Sequence, residues 1–191
     1  MNNSRFLVWG FASGLLTSAI VTYWPGSWVY APGLIFGATL AVVFSKRAFG
    51  TFGPAVLKEP IVWKLVGFIV VSVAAYYAAV LEAQWLLGMN GFVSFAAYSS
   101  ENALSAVYVA CFVGGCIWAL GLSLGIRIFF FPFDMIRGMF LFAITAGTVG
   151  SIIIITFEIF GFIPQFIFPV WHLCMSLVIM YLYRTGGKSR E

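Results

Sequence analysis

The chain has 191 residues, of which 62% are hydrophobic and only 8% charged. A soluble domain carries about a quarter charged residues, and no soluble fold of this size could hide so much apolar surface. The net charge of +4 has no soluble basic scaffold to form a nucleic-acid patch; it is read as membrane orientation plus attraction to anionic headgroups, worth ~1 kcal/mol per basic residue near the surface.

The ten Lys and Arg residues are Arg5, Lys46, Arg47, Lys58, Lys64, Arg127, Arg137, Arg184, Lys188 and Arg190. A path of six crossings leaves all of them on one side, and cytoplasmic loops collect such residues. Residues 6–45 contain no charge. As one helix they would measure about 60 Å, twice the hydrocarbon core. Trp24-Pro25-Gly26-Ser27-Trp28 interrupts them with turn residues and interfacial aromatics, which predicts a first span at about 5–24 and a second at about 30–46. The third is expected at about 61–82, with Lys64 close enough to its end to snorkel.

Residues 83–100 also lack charge, but Gly88, Asn90 and Gly91 interrupt them. A seventh crossing there would split the basic residues five and five. The segment is therefore read as an interfacial or re-entrant loop on the outer face. The fourth span is expected at about 102–126, with Ser99, Ser100 and Asn102 as capping residues. Phe129 to Phe133, between Arg127 and Arg137, reads as a cytoplasmic elbow lying in the interface. The fifth span falls at about 138–158 and the sixth at about 164–183, with Pro164 in its first turn and Pro169 bending it. The expected fold is all-α: one polytopic membrane domain over residues 1–191, with both termini cytoplasmic and no cleavable signal peptide. Short tails and compact loops point to a bacterial cytoplasmic membrane.

Polar residues on the sixth span form a stripe. Gln165, His172, Ser176 and Tyr183 stand at offsets 0, 7, 11 and 18, within about 40° of one another. Cys174 and Tyr181 occupy the opposite face. A polar stripe avoids lipid, so it should face the bundle interior. It serves either as interhelical hydrogen bonds, worth ~0.6 kcal/mol each, or as one wall of a polar cavity. Glu82, Glu101 and Glu158 fall at the outer boundary, either as solvated helix ends or as an acidic vestibule that would attract cations. Gly10 and Gly14, Gly33 and Gly37, Gly121 and Gly125, and Gly147 mark seams where helices approach closely, within the chain or between copies.

Reactive chemistry is sparse. His172 is the only histidine, and Cys111, Cys116 and Cys174 are scattered within spans, so neither a zinc set nor a CxxC pair is assembled. Trp171-His172 faintly resembles the last helix of multi-histidine membrane hydrolases, but those need several histidines. No cofactor and no enzymatic activity are expected. The seams and apolar surface point to a non-catalytic subunit or assembly partner, held in the lipid bilayer with other membrane subunits or further copies of itself. The alternative is a small transporter or channel component with its pathway near Gln165, His172 and Ser176.

Overall fold

The structure, a computed structural model, describes residues 3–49, 61–86, 101–130, 133–160 and 167–186. Among these residues it is all-helical: α1 (Asn3–Tyr23), a 3-10 turn (Pro25–Val29), α2 (Ala31–Phe49), α3 (Ile61–Leu86), α4 (Glu101–Phe129), α5 (Met135–Phe160) and α6 (Ile167–Gly186). Five of the helices, all but α2, are long and apolar enough to cross a membrane. The apolar part of α2 is shorter, Ala31–Phe44, and is followed by Ser45, Lys46 and Arg47. The whole of α2 is 19 residues, or about 28 Å, which approaches the hydrocarbon thickness. The chain is an integral membrane helix bundle.

The break between α1 and α2 follows from its residues. Pro25 has no N–H to lose in a first turn, and its fixed φ suits a helical start. Trp24 closes α1 through its N–H to Ile20 O (2.8 Å), and its own carbonyl accepts from Ser27 N (2.9 Å). Asp134 starts α5 in the same local manner: its carboxylate accepts from Arg137 N at 3.2 Å, and its carbonyl from Gly138 N at 2.8 Å. Asp134→Ala should cost ~0.5–2 kcal/mol, the usual value of a lost cap, measured as a lower unfolding midpoint in mixed detergent.

Packing arranges the helices in a closed ring. Each packs on its neighbours in the chain, and α6 closes on α1. The ring closes where side chains are small. A Cβ on Gly10 would meet Ser176 Oγ at 2.1 Å, and one on Gly14 would meet Pro169 Cα at 2.4 Å. Gly33 and Gly37 admit Ser72 and Tyr76 of α3 in the same way, and the Ser72 hydroxyl donates to Gly33 O at 2.8 Å. Gly121 and Gly125 of α4 meet Ala75 and Phe68 of α3, while Gly147 of α5 meets Phe112 of α4. All seven glycines of the seams thus serve contacts within the chain.

The ends of the helices bring the basic residues together. Phe6 of α1 stacks near Phe44 of α2 (6.1 Å), and Phe44 near Phe130 after α4 (4.6 Å), which meets Phe68 of α3 (4.7 Å). Arg137 of α5 donates to the Tyr181 hydroxyl of α6 and lies 5.4 Å from its ring centre. The helix ends that carry Arg5, Lys46, Arg47, Lys64, Arg127, Arg137 and Arg184 are therefore one end of the bundle. Lys58, Lys188 and Arg190 lie outside the described residues.

Two local expectations change. Phe130 and Phe133 pack inward and Arg127 donates to Phe133 O at 3.1 Å, so the described part of the aromatic elbow plugs the bundle end instead of lying flat in the interface. Pro169 lies near the described start of α6 and packs on Gly14 of α1; the residues before 167, which bear on a bend there, lie outside the described ones. α3 continues to Leu86, four residues past its expected end, because Ala83, Gln84 and Trp85 offer no breaker. The expected loop at 87–100 and the start at Pro164 lie outside the described residues.

Candidate functional site

Inside the ring, large aromatic side chains from four helices meet. Phe36 of α2 lies 4.5 Å from the His172 ring and 5.6 Å from Trp118 of α4. Trp118 lies 4.7 Å from Trp171 of α6, and Tyr76 of α3 stands 5.8 Å from Trp118 and 6.4 Å from Trp171. Tilted and edge-on geometries of this kind suit the ring quadrupoles, and each pair adds ~0.5–1.5 kcal/mol beyond its buried area. The sequence does not show this cluster. α2, α3, α4 and α6 are apolar on most faces, so their aromatics carry no mark that separates the interior from the lipid side.

His172 is fully buried within the cluster, about 8 Å along the helix from Ile167. Its Nδ1 lies 3.0 Å from Ser13 Oγ of α1, and the Ser13 hydroxyl is 2.7 Å from Gly10 O. One hydroxyl has one proton. If Ser13 gives it to Gly10 O, then Nδ1–H is the donor of the 3.0 Å contact, which satisfies both groups. That tautomer is assigned from the hydrogen-bond network. It leaves a lone pair on Nε2, and Nε2 is buried with no hydrogen-bond partner among the described residues.

Three further polar atoms of α4 and α6 share this condition: Ser176 Oγ on the next turn of α6, and the indole Nε1 atoms of Trp118 and Trp171. A buried donor or acceptor left unpaired costs ~1–3 kcal/mol. Such groups are usually satisfied by water or by a ligand. Two N–H donors, one ring acceptor and one hydroxyl thus lie unpartnered among the described residues of α4 and α6. Among the described residues no three His, Cys, Asp or Glu side chains gather as a metal site.

The other expected site residues are placed as follows. Of the stripe on α6, His172 and Ser176 face the interior, and Tyr183 is half-buried with an interaction of its own. Gln165 lies outside the described residues. Both carboxyl oxygens of Glu82 are shielded, and Oε2 lies against Gly114 of α4. Glu101 and Glu158 belong to α4 and α5, but their side chains lie outside the described set. Compared with protein-family models, with curated proteins and with solved structures, the chain matches none.

Proposed function

We propose that this is a non-catalytic membrane protein that binds a small polar solute, water or a proton at His172, as a transporter or channel component. The buried Nε2 of His172, which has no hydrogen-bond partner among the described residues, supports this reading, together with Ser176 Oγ and the indole N–H groups of Trp118 and Trp171, which also lack one there. An ionisable group deep in a membrane bundle is costly and tends to mark a pathway. The assembly reading loses its main support once the glycine seams are occupied within the chain. The exposed apolar side chains need only lipid.

The test is flux in reconstituted vesicles. Proton entry under a potassium diffusion potential is followed with an internal pH dye, and water, urea and glycerol entry by vesicle swelling. One of these should exceed empty vesicles, and His172→Ala should lose the excess. Rates equal to empty vesicles for every probe would sink the proposal.

We further propose that the basic end of the bundle faces the cytoplasm, as the clustering of Lys and Arg favours. In a chain with Cys111, Cys116 and Cys174 replaced, Lys64→Cys and Arg184→Cys should resist an impermeant maleimide until the cells are opened. Trp85→Cys, at the other end of α3, should label in intact cells. The reverse pattern would reject this orientation.

A further inference from the structure

α5 and α6 run antiparallel, since α5 begins and α6 ends at the basic end of the bundle. Each carries three exposed side chains in the same order of depth. On α5 they are Arg137, Phe140 and Ile144; on α6, read back from its end, they are Arg184, Tyr181 and Leu177. Steps of three and four residues keep each set on one face of its helix. Arg137 ties the two sets together: its guanidinium donates to the Tyr181 hydroxyl and lies 5.4 Å from the centre of that ring. The two faces therefore flank one furrow on the lipid side. Two arginines stand at its mouth, and apolar side chains line it about 10 Å deeper.

The mouth is short of acceptors. A guanidinium has five N–H donors, and the Tyr181 hydroxyl can accept while still holding a proton to give. Among the described residues no carboxylate pairs with either arginine; the Asp134 carboxylate accepts from the backbone N–H of Arg137 instead, at 3.2 Å. Water could fill the empty donors, but it would leave two like charges on adjoining helices uncompensated. A phosphate supplies both oxygens and charge, and arginine matches it with paired hydrogen bonds. Hydrocarbon against Phe140, Ile144 and Leu177 sets the headgroup layer beside the arginines. A zwitterionic headgroup brings its own cation, so a net-anionic one fits the charge better. Basic pockets between membrane helices bind such headgroups.

We propose that the lipid-facing furrow between α5 and α6 is a binding site for one anionic phospholipid. Its phosphate sits on Arg137, Arg184 and the Tyr181 hydroxyl, and an acyl chain lies along Phe140, Ile144 and Leu177. The proposal stands whether or not His172 lies on a transport path, and whichever side the basic end faces.

The test places the intact protein in nanodiscs of equal parts phosphatidylglycerol and phosphatidylcholine with matched chains. The lipid kept on transfer to detergent is identified by native mass spectrometry. The parent should keep one phosphatidylglycerol in preference to phosphatidylcholine by about tenfold. Arg137→Gln and Arg184→Gln should each bring that ratio below about threefold, while Lys64→Gln, which removes the same charge from α3, should leave it unchanged. All three side chains are exposed, so the variants should unfold with the parent. Excess inorganic phosphate should not displace the lipid. A phosphatidylglycerol with a diazirine in its acyl chain should crosslink to peptides holding Phe140 and Leu177. No preference in the folded parent, an equal loss in Lys64→Gln, displacement by phosphate, or crosslinks spread evenly over all the helices would each overturn the proposal.

Discussion

Gly14→Ala is expected to lower the stability of the bundle more than any other single-methyl addition along α1. The added Cβ would lie 2.4 Å from Pro169 Cα, 2.5 Å from Phe168 O and 2.6 Å from Pro169 N. All three are backbone atoms, so no side chain can rotate away; the helices must separate. Overpacking of this kind costs ~1–3 kcal/mol. The gain from replacing glycine by alanine within a helix is about 0.5–1 kcal/mol, which does not offset it. The measurement is the unfolding midpoint in mixed detergent, with Gly26→Ala as reference, because nothing lies within 4 Å of a Cβ there. Gly121→Ala provides the contrast. Its added Cβ meets only Ala75, whose own Cβ is 2.3 Å away. Ala75→Gly should therefore restore much of the lost stability, a coupling that a double-mutant cycle reads directly. No single truncation should restore Gly14→Ala. If Gly14→Ala is as stable as Gly26→Ala, the close α1–α6 contact is wrong.

The second large effect concerns His172. His172→Ala removes a fully buried ring that contacts Phe36, Trp118 and Phe168, and such truncations leave cavities costing ~2–5 kcal/mol. Loss of flux in that variant would therefore mix two causes. His172→Phe separates them. It keeps an aromatic ring in the cluster, and Ser13 retains its bond to Gly10 O. Exchanging polar for apolar groups of similar shape can be nearly neutral in stability. The expected result is a protein that unfolds within about 1 kcal/mol of the parent but has lost the flux assigned to the His172 cluster. Flux retained by a stable His172→Phe would make His172 a packing residue and remove the basis of the proposed function.

Much of the fold is legible in the sequence because lipid imposes strong, local rules. Charge-free runs mark the helices, Pro25 and its neighbours mark the break, and the spacing of Lys and Arg predicts which helix ends lie together. The glycine seams are legible as places of close approach, but their partners are not. Gly33 could have met another copy as easily as Ser72, since spacing along one helix says nothing about what faces it. The α6 stripe is legible for His172 and Ser176, because two polar groups seven and eleven residues from Gln165 share a face. The rest of the site is not. Phe36, Tyr76, Trp118 and Trp171 lie on helices with few polar residues to distinguish an inner face. Glu82 reads as a solvated helix end, yet the structure closes its oxygens into a seam. A signal was present: Glu82 shares a face with Ala75 and Ala79, and Gly114 precedes Gly121 by seven residues on α4. Two small-residue faces in register leave room for one long side chain.

The contact between α6 and α1 has a consequence for biosynthesis. α1 gains its neighbour α6 only after α2 to α5 have been made. Until then, the α1 surface bearing Gly10, Ser13 and Thr17 must tolerate hydrocarbon. Its hydroxyls are equipped for the wait: Ser13 donates to Gly10 O at 2.7 Å, Thr17 to Ser13 O at 2.8 Å and Thr22 to Ser18 O at 2.7 Å, all within the same helix. A nascent chain stalled before α6 would thus expose a narrow groove with its hydroxyls already satisfied, a shape that membrane chaperones and quality-control proteases could distinguish from the finished protein.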